Sequence, residues 1–361
     1  MKKYKVGILG ATGMVGQNYI KLLEDHPWFD ISYLAASPRT AGEKYGREMK
    51  DKWQMDVAMP ENVLNIVLED VGNVEKIKGK CDLVFSSFGM NSDEKIRDCE
   101  NKYAKFGLPV VSSSSANRHT KDVPMIVPEV NSGHLEMIKI QKKNHLWDKG
   151  FIVTKPNCSL QSYIIPVYAL MKAGYEVKKM IVTTLQAVSG GGYPGIASLD
   201  MIDNVVPYIG GEEEKSETEP LKVLGKIENG NYKNFDDLKI SAHCNRVPVA
   251  DGHLACVSML FGKNKPNKSE IINIWRDFRP DIQGLNLPFA PSPTIIYKEE
   301  ENRPQPKKDR QEGNGMAITI GRLRECNVFD HKFTCLSHNT IRGAAGGGIL
   351  LAELLAKKRL I

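Results

Sequence analysis

The sequence predicts an α/β fold in two parts: a Rossmann-type, largely parallel sheet first, then an α+β domain with a mixed sheet. Three observations carry this expectation. The chain has 361 residues, longer than one hydrophobic core usually fills, so two domains are expected. Its first half alternates short apolar runs with helical segments, the rhythm of βαβ units. Its second half replaces that rhythm with long β-rich stretches.

Taken in order, Lys5–Leu9 reads as a strand, Met14–Glu24 as a helix and Asp30–Ala35 as a second strand. Ile66–Leu68 is a short strand, Asp82–Ser86 a buried one, Asn91–Phe106 a helix and Pro109–Ser112 another strand. Ile152–Thr154 reads as a strand that Pro156 stops, ahead of a helix over Gln161–Ala173. Lys178–Ala187, Leu238–Val249 and His253–Leu260 are β-rich. A helix follows at Asn267–Phe278, with strands around Thr294–Tyr297 and Met316–Glu325. Lys298–Gly315, charged and proline-bearing, reads as an exposed excursion, with an oligomer contact as the alternative. A final helix over Thr340–Lys358 opens on a glycine/alanine cluster suited to packing on the first domain. The expected division is 1–156 for a nucleotide-binding domain, 157–338 for the second domain and 339–361 for a returning C-terminal helix.

Bulk properties narrow the function classes. The net charge of +6 suits anionic small molecules, but basic residues are spread along the chain, so no nucleic-acid surface is expected. No stretch of about 18 uncharged apolar residues occurs, so no membrane span is expected. The Met1-Lys2-Lys3 start runs straight into strand-like residues without the apolar core of a signal peptide. Seven cysteines, odd in number and scattered, point to reduced thiols in a cytoplasmic protein.

Gly7-Ile8-Leu9-Gly10-Ala11-Thr12-Gly13-Met14-Val15-Gly16 sets glycines between the first strand and its helix. They allow a tight turn and close approach of a pyrophosphate, with the helix N-terminus facing the anion. Three glycines alone are a weak signal; the strand–helix context makes a dinucleotide site the better reading. The second strand ends in Ala36-Ser37-Pro38-Arg39-Thr40, with no acid at hand for a ribose 2′-hydroxyl. Ser37 and Arg39 suit a 2′-phosphate and so favour NADP. Glu43 further on argues slightly against this, and a solvated loop arginine is the plain alternative.

Cys158, in Lys155-Pro156-Asn157-Cys158-Ser159, sits at a strand-to-helix turn. Free N–H groups and the dipole of a helix N-terminus there favour a thiolate, a nucleophile for acyl carbon. Cys81, Cys99, Cys256, Cys326 and Cys335 read as buried small hydrophobes. A proton shuttle is expected in Arg246-Val247-Pro248-Val249-Ala250-Asp251-Gly252-His253, where an Asp-Gly turn between two strands brings Arg246 and His253 to one hairpin end. His253 suits acid/base work and Arg246 a substrate carboxylate. A zinc set of His243, Cys244, His253 and Cys256 is opposed by strand alternation, which sends His253 and Cys256 to opposite faces. No metal is expected.

These motifs resemble the aspartate-β-semialdehyde dehydrogenases of the archaeal and fungal branch. Val127-Pro128-Glu129-Val130-Asn131, Leu185 through Gly192 and Asn339 through Gly346 extend the resemblance over essentially the whole chain. The resemblance implies NADPH-dependent reduction of β-aspartyl phosphate through a cysteine thioacyl intermediate. Cys158 would be the nucleophile, with Asn157 and the Cys158 amide stabilising the oxyanion; His253 would be the acid/base and Gln186 would orient the acyl group. Arg246 would bind the α-carboxylate, Glu212 the α-ammonium, and Lys215 and Arg118 the phosphate. The cofactor would meet Gly10, Thr12, Gly13, Met14, Val15, Ser37 and Arg39 at one end. At the other it would meet Ser189, Gly190, Gly191, Asn339 and Gly343. A homodimer or homotetramer is implied. Without the family, Glu212 belongs to an acidic run that reads as a solvated helix start, and Arg118 to a polar loop.

Two segments depart from the family pattern: Ser87-Phe88-Gly89-Met90, and the four-serine run Ser112–Ser115 before Arg118. Rival readings are a malonyl- or succinyl-CoA reductase using the same cysteine chemistry, and an N-acetylglutamyl phosphate reductase. Both lack the substrate ammonium that Glu212 would meet. A catalytically silent NADP-binding regulator would have no need of Cys158, Gln186, Arg246 and His253 together.

Overall fold

The alternating apolar runs of the first half form a six-stranded, all-parallel sheet. In the computed structural model, which describes residues 3–89 and 92–361, its strands are β1 (Tyr4–Leu9), β2 (Phe29–Ala36), β3 (Leu68–Asp70), β4 (Leu83–Ser86), β5 (Pro109–Ser112) and β6 (Phe151–Thr154). They lie in the order β3-β2-β1-β4-β5-β6. The order reverses between β1 and β4, and the carboxyl ends of the strands there frame a ligand crevice. Both faces are covered, which is why these strands are continuously apolar. Val6, Ile8 and Phe85 join one buried cluster, while Leu9 and Val84 join another on the opposite face. Gly10 leaves β1 at φ +86°, where a Cβ would lie 2.7 Å from the Phe88 amide nitrogen. Only glycine fits that turn.

Three first-half elements differ from expectation. The strand expected at Ile66–Leu68 is Leu68–Asp70, because the Ile66 carbonyl is taken by the Tyr45 amide in an isolated antiparallel bridge between Lys44 and Val67. The helix after β4 spans Asp93–Lys105, with the Ser92 hydroxyl accepting from the Lys95 amide; Met90 and Asn91 lie outside the described residues. The helix expected at Gln161–Ala173 starts later, at Ile164, behind a single tight turn over Leu160–Ser162.

The second half forms β7 (Val177–Gln186), the small hairpin β8 (Lys226–Glu228) and β9 (Asn231–Lys233), then β10 (Lys239–Arg246), β11 (His253–Phe261), β12 (Ile295–Lys298), β13 (Ile318–Glu325) and β14 (His331–Ser337). The large sheet runs β10-β7-β11-β14-β13-β12 and is mixed. The expected hairpin between Arg246 and His253 does not form. β10 pairs with β7 in parallel and β11 pairs with β7 antiparallel, so residues 247–252 cross the end of β7. Gln186, opposite Arg246 in the ladder, therefore stands between the two. Helices Ile164–Lys172 and Lys268–Asp277 cover one face of this sheet through Leu170, Ile271 and Trp275. The other face is open, with Ile181 and Cys256 exposed.

The chain ends by returning to the first sheet. An irregular wide turn over Ile341–Ala345, with Ala344 at φ −138°, ψ −105°, precedes the helix Gly346–Lys357. Ile349, Leu351 and Leu355 of that helix enter the cluster of Val6 and Ile8. A buried His26–Glu353 contact of 2.9 Å fixes it there. The Lys298–Gly315 segment is more than an exposed excursion: it forms a short helix, Pro306–Asp309, around a buried Asp309 paired with Arg303. Its Arg310 and Gln311 reach the cleft between the two sheets.

Candidate active site

Two strand ends, one strand start and one helix start converge on the turn after β6. Asn157 and Cys158 sit in that turn, Gln186 ends β7, Arg246 ends β10 and His253 begins β11. Glu212 opens the helix Glu212–Val223, in the acidic run. Asn157, Gln186, Glu212, Arg246 and His253 are all buried, whereas Cys158 keeps some accessible surface.

Glu212 is the hub. Its carboxylate accepts from Asn157 Nδ2 at 2.8 and 3.0 Å, from Gln186 Nε2 at 3.0 Å and from Lys215 Nζ at 3.0 Å. Burial works against its charge, but Lys215 and these hydrogen bonds outweigh burial and hold its pKa below the usual range. It is ionised and not a solvated helix start. Asn157 Nδ2 is spent on Glu212, and its Oδ1 accepts from the Ser159 amide and hydroxyl, both at 2.7 Å. The expected oxyanion donor is thus a residue that ties the cysteine turn to Glu212.

The cysteine itself corrects a second expectation. No long helix starts at Cys158, so the dipole is weak there. Burial pushes the thiol up to about 11, and Glu212 pushes the same way; Lys155, Arg118 and Arg246 pull it down without prevailing. At rest it is a thiol. Gly343 presses on it: a Cβ at Gly343 would lie 2.7 Å from that of Cys158. The other cysteines differ from one another. Cys99 and Cys335 are buried as expected, but Cys81 and Cys326 are half-buried and Cys256 is exposed. His253 and Cys256 do face opposite sides of β11, the former buried.

His253 Nδ1 accepts from the Ala187 amide at 3.1 Å, so its single proton belongs on Nε2, which has no partner. Burial, then Arg246, pushes its pKa down to about 3, so the ring is neutral. Arg246 Nη1 donates to the Ala187 carbonyl at 2.7 Å, and its buried Nε is unpartnered. Arg118 is buried against Glu219, Nη1 to Oε1 at 2.8 Å, also with a free Nε. Lys215 is the most open of these cations.

The expected cofactor residues lie along two clefts that share Met14. One, of about 530 Å³, is lined by Thr12, Gly13, Met14, Ser37 and Arg39, joined by Lys52. The other, of about 580 Å³, is lined by Met14, Ser189 and Thr340. Gly190 and Gly191 belong to the Val188–Gly191 turn next to Ser189. Asn339 stands one step back, its Nδ2 donating to Ser189 Oγ and its Oδ1 accepting from the Gly252 amide, both at 2.8 Å. Gly10 shapes the turn, and Val15 packs into the first core.

Several residues of the site were not foreseen. Glu219 accepts from the Asn157 amide at 2.6 Å and anchors the cysteine turn. Arg342 forms a buried pair with Glu129 (Nη2 to Oε2, 2.7 Å) and donates to Gln161 at 3.2 Å, which joins two of the sequence motifs and holds Gly343 in place. Lys155 is buried beside Cys158. The seven-residue step from Glu212 to Glu219, two turns of one helix face, was the available signal for Glu219.

Two family models match the chain: the NAD binding domain of semialdehyde dehydrogenases over residues 5–138, and their dimerisation domain over residues 167–342. Fold and site thus define a nicotinamide-nucleotide dehydrogenase of the semialdehyde dehydrogenase class. The aspartate-semialdehyde dehydrogenase of Archaeoglobus fulgidus is 45% identical, covering 99% of this chain and 100% of its own. That of Schizosaccharomyces pombe is 42% identical over 99% of both. The crystal structure of aspartate semialdehyde dehydrogenase with NADP from Candida albicans matches with a TM-score of 0.89 at 37% identity, over 100% of both chains. The chain belongs to the aspartate-semialdehyde dehydrogenase family.

Proposed function

We propose that this chain reduces β-aspartyl phosphate to aspartate semialdehyde and phosphate with NADPH, in a reversible step of amino-acid biosynthesis, through a thioacyl intermediate on Cys158. One observation carries the substrate: an ionised Glu212 and a guanidinium with an unused Nε, Arg246, are buried in one site with the cysteine. An α-ammonium and an α-carboxylate are the groups such a pair recognises. A malonyl or succinyl thioester brings no ammonium to Glu212, whose cation in the free site is Lys215.

The chemistry divides among this chain's residues as follows. Cys158 Sγ forms the bond to the acyl carbon as its S–H bond breaks, the acyl C–O bond to phosphate breaks, and phosphate leaves carrying that proton. Arg246 and Glu212 hold the aspartyl end, Gln186 and Asn157 fix Glu212, and Gln186 thereby orients the acyl group. His253 donates from Nε2 to the developing oxyanion, with the Cys158 amide as second donor. Lys215 and the free Nε of Arg118 receive the phosphate. Thr12, Gly13 and Met14 hold the pyrophosphate of the cofactor and Ser37 and Arg39 its 2′-phosphate; Ser189–Gly191, Gly343 and, through Ser189, Asn339 enclose the other end. Bound NADPH supplies the hydride.

The functional division follows residues 1–156, 157–338 and 339–361. The open face of the second sheet, with Ile181 and Cys256 exposed, serves as a homodimer contact, and a homotetramer is the alternative. Scattered, unpaired cysteines suit a cytoplasmic enzyme.

The test is an assay in the oxidative direction. The protein is expected to reduce NADP with aspartate semialdehyde only when phosphate is present. Turnover of malonyl- or succinyl-CoA with NADPH, without phosphate-dependent activity, would sink the reading. Binding of NADP without turnover of any of these would leave a regulator.

A further inference from the structure

The two segments that depart from the family pattern both begin at one buried carboxyl. Glu100, on the helix Asp93–Lys105, is fully buried. Its Oε1 accepts from Ser86 Oγ and Ser112 Oγ, both at 2.6 Å, and its Oε2 accepts from Asn117 Nδ2 at 2.7 Å. Ser86 ends β4 just before Ser87-Phe88-Gly89, while Ser112 ends β5 and opens the four-serine run. Burial raises the Glu100 pKa against these three hydrogen bonds. A proton on Oε1, between two hydroxyls, still leaves Oε2 an acceptor, so the Asn117 contact holds in either state. The serines themselves are spent inside the loop. Ser112 Oγ accepts from the Ser114 amide and Ser114 Oγ from the Ala116 amide, both at 3.2 Å, and Ser113 Oγ meets the Tyr19 hydroxyl at 3.1 Å. The run is framework for Arg118, whose Nη1 goes to Glu219 at 2.8 Å and Nη2 to the Ser113 carbonyl at 3.1 Å, leaving Nε over.

We propose that Glu100 is a positioning residue for phosphate: by holding Asn117 to the ends of β4 and β5 it fixes the neighbouring Arg118, so that the unused Nε stands at the phosphate site. This rests on the reading of Arg118 as a phosphate ligand. The loop is clamped from two sides. Glu100 holds it from the first sheet, and Asn117 Oδ1 passes the hold on by accepting from Thr120 Oγ1 at 3.0 Å. From the helix Glu212–Val223, Lys222 Nζ donates to the Arg118, Thr120 and Val123 carbonyls at 2.7, 3.1 and 2.9 Å. A guanidinium with a single N–H to spare binds a ligand well only where its backbone is fixed, because a small displacement turns that N–H away. The Asn117 contact supplies the first-sheet half of that fixing.

The test measures three KM values in the oxidative direction. Asn117→Leu, which cuts the contact and keeps the size, is expected to raise the KM for phosphate at least about fivefold, with those for NADP and the semialdehyde within about twofold. Glu100→Ala should raise it as far, and combining the two should add nothing, because both cut one contact. Glu100→Gln together with Asn117→Asp reverses donor and acceptor, a glutamine amide donating to an aspartate oxygen, and should bring the phosphate KM back to within about twofold of wild type. An unchanged phosphate KM in Asn117→Leu, a parallel rise of all three values, or additive losses would overturn the proposal. If Glu100→Ala does not fold, a reversed pair no better than Asn117→Leu overturns it instead. Arg118→Ala separates the two readings: an unchanged phosphate KM there would mean that Arg118 is not the phosphate ligand, whatever holds its loop.

Discussion

The acyl end and the cofactor end of this site are built in opposite ways. Around Cys158 the polar groups are buried and mostly committed to one another: Glu212 alone accepts from three side chains. Along the glycine loop the clefts are open, and Arg39 and Lys52 stand at solvent-facing positions. Charges that must act on a developing oxyanion are worth most when fixed and dry. A cofactor that must enter and leave needs exposed donors on a rigid strand–helix frame. One network therefore resists change as a unit, and the other should tolerate single losses.

Removing Cys158 should have the largest effect. Cys158→Ala is expected to lower turnover by about 10⁴-fold or more while the NADPH affinity stays within about twofold; equal loss of both would erase the contrast between the two ends. Next comes Glu212→Gln, which keeps shape but removes the charge that Lys215 and a substrate ammonium need. A charged hydrogen bond contributes about 1.5–3 kcal/mol, so kcat/KM for the semialdehyde should fall about 10- to 100-fold. A change confined to the cofactor KM would contradict the hub assignment. Arg39→Ala should raise the KM for NADPH by about tenfold, leave kcat nearly unchanged and narrow the preference over NADH. If kcat falls as far as KM rises, the two ends are not independent.

The last effect is on stability in acid. The folded state keeps His253 neutral down to about 3, whereas an unfolded histidine gains its proton near about 6.5. Between those values the unfolded chain binds the extra proton, so stability falls as pH falls, by at most about 1.4 kcal/mol per pH unit for this group. His338, pushed down to about 4 by burial, acts in the same direction. Urea unfolding across this range should show a shallower acid slope in His253→Gln, and an unchanged slope would remove His253 from the buried set.

The same contrast governs what was legible in the sequence. The cofactor end is written in contiguous residues: Gly10 to Val15 at one strand end, Ser37 and Arg39 at the next. The parallel sheet followed from the period of its apolar runs. Cys158 was legible by its position after β6, but not the sign of its ionisation, because its burial and, after it, the charge of Glu212 are set by residues far along the chain. The Arg246–His253 hairpin failed for a related reason: the better partner for both strands was β7, which a local reading of an Asp-Gly turn ignores. Lys155 stood in view within the cysteine motif, yet nothing local marked it as buried. Glu129 and Arg342 appeared as two separate motifs, and only packing of the C-terminal segment on the cysteine turn makes them one pair.

The central claim is that Cys158 carries an aspartyl group during turnover, and mass spectrometry of the acid-quenched enzyme tests it most directly. Incubation with aspartate semialdehyde and NADP in the absence of phosphate should leave an aspartyl adduct on the peptide containing Cys158, and added phosphate should discharge it. An unmodified Cys158, or an adduct that forms only from an acyl-CoA, would contradict the account.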